Sequence, residues 1–282
     1  MEIPPRHNDI LARARANGKV SVDELALAYN VTPQTVRRDM KDLCKRGLLA
    51  RIHGGAVPAN SVSNFGYADR RELASDEKMR IGLVAASLIP DNCSLIINIG
   101  TTTEQVARSL YDRTNLVVIT NNINVINILS GSPQKELVLA GGMVRQSDGG
   151  VVGEAAVDFI RQFKVDYAVI GASALDEDGA ILDFDYREVT VARTIIANAR
   201  KIVLVADGSK FERTAPMRIG DISLVDHFVT DREPPEKFQT ACRQNGVDIK
   251  VVATASELSQ NLHNRKNEHK RTSGAGFETV NV

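Results

Sequence analysis

The sequence predicts an α/β protein in two parts: a small head of three helices closed by a strand pair, and a larger body built on a mostly parallel sheet. From about residue 74, short and nearly continuous apolar runs (SLIINI, NLVVIT, ELVLA, YAVIGA, KIVLVA, HFVT, DIKVVA) alternate with segments of helical period. Strands buried on both faces beneath covering helices carry that signature. The first sixty residues instead hold three short helical patterns and then two strand-like pieces.

In the head, Ile10, Leu11 and Ala14 lie on one face of a helix over 6–17 that Gly18 ends. Ser21 and Glu24 form a capping box that opens a second helix, with Leu25, Ala28 and Tyr29 turned inward. After a tight turn at Asn30-Val31, Thr32 caps a third helix whose first position is Pro33, where a missing N–H costs nothing. Val36, Met40 and Leu43 make its buried stripe, leaving Gln34, Thr35, Arg37, Arg38 and Lys41 on the opposite surface. Gly47 closes that helix, and LLARI (48–52), HGG and AV read as a small hairpin. This is a helix-turn-helix with a wing. The third helix fits a major groove ~12 Å wide and offers Gln for adenine and Arg for guanine. Arg51 and His53 on the wing are placed to follow the backbone or a minor groove. Helix-turn-helix geometry also serves protein contacts, so spacing alone leaves that alternative open.

Composition narrows the class. The chain has 282 residues, 43% of them apolar, and balances 35 Lys and Arg against 35 Asp and Glu. That balance hides an asymmetry: the first sixty residues carry a surplus of basic groups and residues 61–260 a surplus of acidic ones. A basic head on an acidic body fits a nucleic-acid module joined to something else. No apolar run approaches the ~20 residues that a bilayer demands, and the amino terminus lacks the apolar stretch of a secretory signal. Three widely spaced cysteines (Cys44, Cys93, Cys242) without a CxxC indicate a reducing cytoplasm and buried free thiols. The five histidines show no HExxH or paired spacing, so no metal is expected.

The sequence divides into a head over 3–58, a linker over 59–74 that mixes Pro, Asn, Ser, Gly and charge without periodicity, a body over 75–260, and a polar, disordered tail over 261–282. The body opens with a helix whose inner face is Ile81, Val84, Ala85 and Leu88. In an open parallel sheet, ligands collect at the carboxyl ends of strands. Gly100, Thr101, Thr102 and Thr103 stand at one such end and open a helix, where free N–H groups and hydroxyls favour a phosphate. A capped helix start explains the threonines equally. Neither GxxxxGK[ST] nor GxGxxG occurs, which argues against a nucleotide cofactor. Asn121, Asn122, Gly141 and Gly142 follow other strands and suit a small polyol phosphate. DFDYREV starts a long helix with Glu188 one turn inside and Asp183 as a candidate cap, and Lys210 lies just past KIVLVA.

These motifs resemble the DeoR family of bacterial transcriptional repressors over about residues 3–258. RHNDIL, TPQTVRRDMKDL and RIHGGA carry the likeness in the head; IGTTTEQVA, TNNINV, LVLAGGMVR, DGGVVGEAAVDFIRQFKVD, DFDYREV and DGSKF carry it in the body. Within the family, TNNINV, DGGVVGE, DFDYREV and the stretch ending ISLVD are most similar to the branch governing glycerol 3-phosphate catabolism. The resemblance implies a winged helix-turn-helix domain plus a parallel-sheet sensor domain related to ribose-5-phosphate isomerase, acting as an operator-bound repressor and not an enzyme. DNA contacts would come from Thr32, Gln34, Thr35, Arg37, Arg38, Lys41, Arg51 and His53. Gly100 to Thr103 would take a phosphate, with Asn121, Asn122, Gly141, Gly142, Glu188 and Lys210 lining the remaining pocket. The expected effector is glycerol 3-phosphate or a similar phosphorylated metabolite, and the expected state is a cytoplasmic homodimer or homotetramer on double-stranded operator DNA, without cofactor or metal. Asn98 stands where many relatives have Asp. The competing reading is a sugar-phosphate isomerase using Asp183, Asp185 or Glu188 as a proton carrier and Lys210 at an enediolate; a basic helix-turn-helix head gives such an enzyme no benefit.

Overall fold

The computed structural model describes residues 4–17, 19–46, 48–52, 54–58 and 67–252. In the head, α1 (Pro5–Asn17) runs into the short strand β1 (Val20–Ser21), followed by α2 (Val22–Tyr29), α3 (Pro33–Lys45) and the wing strands β2 (Leu49–Ile52) and β3 (Gly55–Pro58). Ile10, Leu11, Ala14, Leu25, Val36, Met40, Leu43, Leu49 and Ala56 pack as one core. The wing is a three-stranded sheet in the order β1-β3-β2, because Val20 and Ser21 pair with Ala56 and Gly55. Glycine is required at 55: a Cβ there would stand 2.0 Å from the Val20 carbonyl oxygen.

Two details of the head differ from expectation. Ser21 precedes α2, but its side chain accepts no capping bond. It belongs to β1, so the chain enters the helix from a strand and not from a capped turn. Consequently Ala26 is buried where Ala28 was expected, and Ala28 is exposed. Thr32 does cap α3, accepting from the Thr35 amide at 3.2 Å, and Asn30 turns the chain with φ 51°.

The body begins with a helix that periodicity misses, α4 (Tyr67–Glu72), inside the segment read as linker. There follow α5 (Ser75–Ser87), β4 (Ser94–Ile97), α6 (Thr101–Ser109), β5 (Leu116–Thr120), α7 (Ile123–Leu129), β6 (Lys135–Leu139) and the hairpin β7 (Met143–Arg145) and β8 (Gly150–Val152). The chain continues through α8 (Glu154–Ile160), β9 (Val165–Ile170), β10 (Ala174–Leu175), β11 (Ala180–Asp183), α9 (Tyr186–Ala197), β12 (Ala199–Val205) and a 3₁₀ turn at Gly208–Glu212. It closes with β13 (Met217–Asp221), β14 (His227–Thr230), α10 (Glu236–Gln244) and β15 (Asp248–Val251).

The central sheet has seven parallel strands in the order β15-β14-β12-β9-β4-β5-β6. Alternate residues of each strand feed two cores, as burial on both faces requires. Leu95, Ile97, Val118, Val169 and Val203 pack with Ile81, Val106, Leu110 and Val125 of α5, α6 and α7. Ile96, Ile119, Ala168, Ile170 and Leu204 pack with Ile160, Ala192, Ile195 and Phe238 on the other side. A second, antiparallel sheet of β10, β11 and β13 lies outside this pattern. Of the three free cysteines only Cys242 is buried; Cys44 and Cys93 are half-buried, a correction to the expectation of three interior thiols.

Strand order reverses at β4. From it the chain steps outward through β5 and β6, then returns to place β9 on its other side. The carboxyl ends of β4 and β9 therefore bound the crevice where an open α/β sheet takes ligands.

Candidate functional site

The head presents one polar helix face. Along α3, Thr32, Gln34, Arg37, Arg38 and Lys41 are exposed and Thr35 is half-buried, its hydroxyl 2.9 Å from that of Thr32. Arg37, Arg38 and Lys41 form no ion pair among the described residues, so their charges face outward. Arg51 is exposed on β2, whereas His53 lies outside the described residues. What aims this face went unread in the sequence. Asp39, buried on α3, accepts from both Nε and Nη2 of Arg6 at 2.7 and 2.9 Å, and the His7 Nε2 lies 3.1 Å away. Although burial raises the Asp39 pKa, the Arg6 and His7 bonds outweigh it and hold the carboxyl below the usual range. The fork ties α3 to the start of α1.

In the body, the turn from β4 into α6 forms the cradle where an anion is expected. Gly100 adopts φ 146°, a region open to glycine, and the first amides of α6 have no partner inside the helix. Thr103 is fully buried, and its hydroxyl is spent on the carbonyls of Asn98 and Gly100 at 2.7 and 2.8 Å. Thr101 donates to the Arg70 carbonyl at 3.3 Å. Asn98 accepts from the Ile99 amide at 2.8 Å, so an amide shapes the turn where a carboxylate was the familiar residue.

Beside the cradle, Lys78, Lys210 and Arg213 act on the buried carboxylate of Asp207. Lys78, Arg70 and Arg213 all act electrostatically on Lys210, whose ammonium stands 3.9 Å from Asp207. Burial, only partly offset by Asp207, pulls Lys210 down to about 7; burial likewise brings Lys78 down to about 8. Burial favours a protonated Asp207, yet Lys210 and Lys78 hold it well below the carboxylate range. These basic groups lie close together with carboxylates among them, Arg70 on Asp148 and Lys210 beside Asp207.

Opposite stands a carboxylate network on one guanidinium. Arg145 reaches Asp148 from Nε and Nη2 at 2.9 and 2.6 Å, Asp185 from Nη1 at 2.9 Å and Glu188 from Nη2 at 2.6 Å. Burial, reinforced by Asp183, pushes Glu188 up to about 8 in spite of Arg145. Arg187 and Arg145 outweigh burial at Asp185 and bring it to about 2. Asp185, and not Asp183, caps α9, accepting from the Arg187 amide at 3.0 Å. Asp183 is occupied by the Ser173 hydroxyl at 2.7 Å and the Phe184 amide at 2.6 Å. Asp185, held ionised by two guanidinium groups, is a poor proton shuttle.

The remaining expected residues follow β5 and β6. Asn122 caps α7 and donates to Glu104 at 3.2 Å; Asn121 donates to the Val151 carbonyl at 3.1 Å and leaves its own buried oxygen without a partner. Gly141 and Gly142 are exposed after β6, and Gly142 backs onto Val151 and the Ala156 amide. Sequence reasoning missed Arg70, Lys78, Arg145, Asp148, Asp207 and Arg213. For Lys78 a signal existed: it lies three and seven residues before Ile81 and Ala85, on the apolar stripe of α5.

Family models match both parts: a DeoR-like helix-turn-helix domain over residues 6–62 and a DeoR C terminal sensor domain over residues 73–232. The chain is 44% identical over 251 residues, 89% of its own length and 100% of the relative's, to the Glycerol-3-phosphate regulon repressor of Escherichia coli (strain K12). It is 44% identical to the repressor of that name from Haemophilus influenzae, over 81% of the chain and 89% of the relative. The HTH-type transcriptional repressor CsqR of Escherichia coli (strain K12) is 38% identical, over 87% of the chain and 94% of the relative. These relatives are repressors, not enzymes. Among solved structures, ribose 5 phosphate isomerase A from Neisseria gonorrhoeae aligns with a TM-score of 0.36 and 14% identity, covering 50% of this chain and 54% of that one.

Proposed function

The chain belongs to the DeoR family of transcriptional repressors, and from that premise we propose that it represses a glycerol 3-phosphate catabolic regulon. It leaves its operator when a small phosphorylated polyol, glycerol 3-phosphate first, fills the pocket of the body. The observation that carries this reading is the charge beside the turn from β4 into α6, which has two sides: Lys78, Lys210 and Arg213 act on Asp207 on one, while Arg145 serves Asp148, Asp185 and Glu188 on the other. A phosphate matches the first side and hydroxyl groups match the second. The α6 amides and Lys210 hold the phosphate; Glu188, protonated below about pH 8, donates to or accepts from a hydroxyl.

The head over 3–58 reads the operator through Gln34, Thr35, Arg37 and Arg38, with Thr32, Lys41, Arg51 and His53 toward the phosphates. The body over 75–260 senses the effector across the 59–74 linker. Two heads on a repeated operator require a homodimer or homotetramer, working in the cytoplasm; no helix among the described residues is long and apolar enough to cross a membrane. A ligand shifts such a protein only through its different affinities for two conformations. The test is a thermal-shift panel of phosphorylated metabolites on the full chain, where a compound at 100 times its dissociation constant stabilises by about 2.7 kcal/mol. Glycerol 3-phosphate raises the melting temperature and glycerol does not; a panel without any shift rejects the reading.

A further inference from the structure

We propose that Tyr67 and Arg70, on the linker helix α4, belong to the effector pocket and carry its occupancy to the head. The inference rests on reading that pocket as an effector site. At six residues, α4 is too short to persist on its own hydrogen bonds. What holds it is the pocket. The Tyr67 hydroxyl donates to the buried Glu104 at 2.7 Å and accepts from Asn124 at 3.0 Å. The Arg70 carbonyl accepts from the Lys78 ammonium at 2.5 Å and from the Thr101 hydroxyl at 3.3 Å, and the Arg70 Nη2 donates to Asp148 at 3.2 Å.

Each partner is part of the site or touches it. Thr101 opens the anion cradle, Lys78 is one of the crowded cations, and Asp148 shares Arg145 with Glu188. Arg70 acts on both charged sides, since its field reaches Lys210 and Glu188. The other neighbour of α4 is β2, the wing strand that bears Arg51. One short helix thus lies between the cradle and the wing.

A phosphate seated on the α6 amides competes with the Arg70 carbonyl for the Thr101 hydroxyl, and its charge draws the Arg70 guanidinium away from Asp148. Two of the ties on α4 are replaced at once, and the helix moves relative to α6 with the wing attached. The tied arrangement is the one that binds operator. Loosening the ties therefore imitates effector, with no effector present.

The experiment compares the full-length chain with Tyr67→Phe/Arg70→Ala by fluorescence anisotropy on operator DNA. Without phosphate compounds, the double variant binds operator at least tenfold more weakly than the parent, and saturating glycerol 3-phosphate then changes its affinity less than twofold. Arg70→Lys, which keeps the positive charge facing Asp148, regains most of the operator affinity. A melting temperature of the body within a few degrees of the parent's shows that the fold survives. Parental operator affinity in the double variant overturns the proposal, and so does weaker binding that glycerol 3-phosphate still relieves as in the parent. If the parent ignores glycerol 3-phosphate while the double variant is weakened, the choice of effector fails and the role of α4 stands.

Discussion

The hydroxyl of Thr101, the first residue of α6, donates to the backbone carbonyl of Arg70 in the segment that joins head to body. The place best suited to a phosphate is thereby bonded to the chain that leads to the DNA-reading face. Repression that answers to a metabolite needs such a contact, because an effector alters operator affinity only by favouring one of two arrangements.

Lys210 is the cation whose removal is most informative. Its ammonium is buried, with Asp207 3.9 Å away as its carboxylate partner. Lys210→Met is expected to weaken glycerol 3-phosphate binding about 10- to 100-fold, in line with ~1.5–3 kcal/mol for a hydrogen bond to a charged group. Operator affinity without effector stays within twofold. Calorimetry for the first quantity and anisotropy for the second check it.

Effector affinity falls as pH rises from 7 to 9. Lys210 titrates at about 7, and a bound phosphate stabilises its protonated form, so binding above pH 7 takes up a proton. Glu188 adds the same sign: above about 8 it becomes a second negative charge beside the ligand. The phosphate itself, with its second ionisation near pH 6, is already dianionic across this window. Calorimetry at pH 8 in buffers of different ionisation heat measures the uptake, which Lys210→Met reduces to the share of Glu188.

Asp39→Asn leaves the side chain's size intact and breaks the fork with Arg6. Arg6 is partly exposed, so the loss is discounted from the ~3–5 kcal/mol of a fully buried pair to about 1–3 kcal/mol. Because the folded Asp39 pKa is depressed, its contribution is present above the unfolded value near 3.9 and is lost as pH falls through the folded pKa. The variant melts at lower temperature and binds operator more weakly at neutral pH, and its deficit against the parent shrinks toward pH 3.

On the exposed face of α3, Arg37→Ala costs about 1–3 kcal/mol of operator affinity if Arg37 reads a base, or lowers the salt slope by about 1 if it holds a phosphate. Gln34→Ala relaxes base preference without altering the slope. Operator titrations across a salt series separate the two. Unchanged affinity and slope in Arg37→Ala place the recognition face elsewhere.

Much of this arrangement is legible in the residues. The period-two and period-3.6 patterns mark the parallel strands and their helices, and Thr32 with Pro33 marks the start of α3, because these are local choices reinforced by burial. Gly100 and the threonines mark the cradle for the same reason. The rest depends on contacts between distant segments. The sequence of α4, YADRRE, lacks an apolar stripe, and Glu104, Asn124, Lys78, Thr101 and Asp148 hold it in place. Asp39 reads as one more polar residue on a helix until Arg6, thirty-three positions away, forks onto it. Asp183 and Asp185 look alike as caps in DFDYREV; β11 runs through Asp183 and leaves the cap to Asp185. Asn121 and Asn122 follow a strand as a ligand-binding pair would; that their amide nitrogens bond Val151 and Glu104 while the buried Asn121 oxygen stays without a partner is set by segments distant in sequence.

The most direct test of the account is a titration of the full-length protein onto its operator, at fixed salt, with and without millimolar glycerol 3-phosphate. The account predicts that the effector raises the operator dissociation constant at least tenfold, about 1.4 kcal/mol of coupling, and that operator lowers effector affinity by that same factor. An operator affinity that stays the same with glycerol 3-phosphate bound to the protein contradicts it.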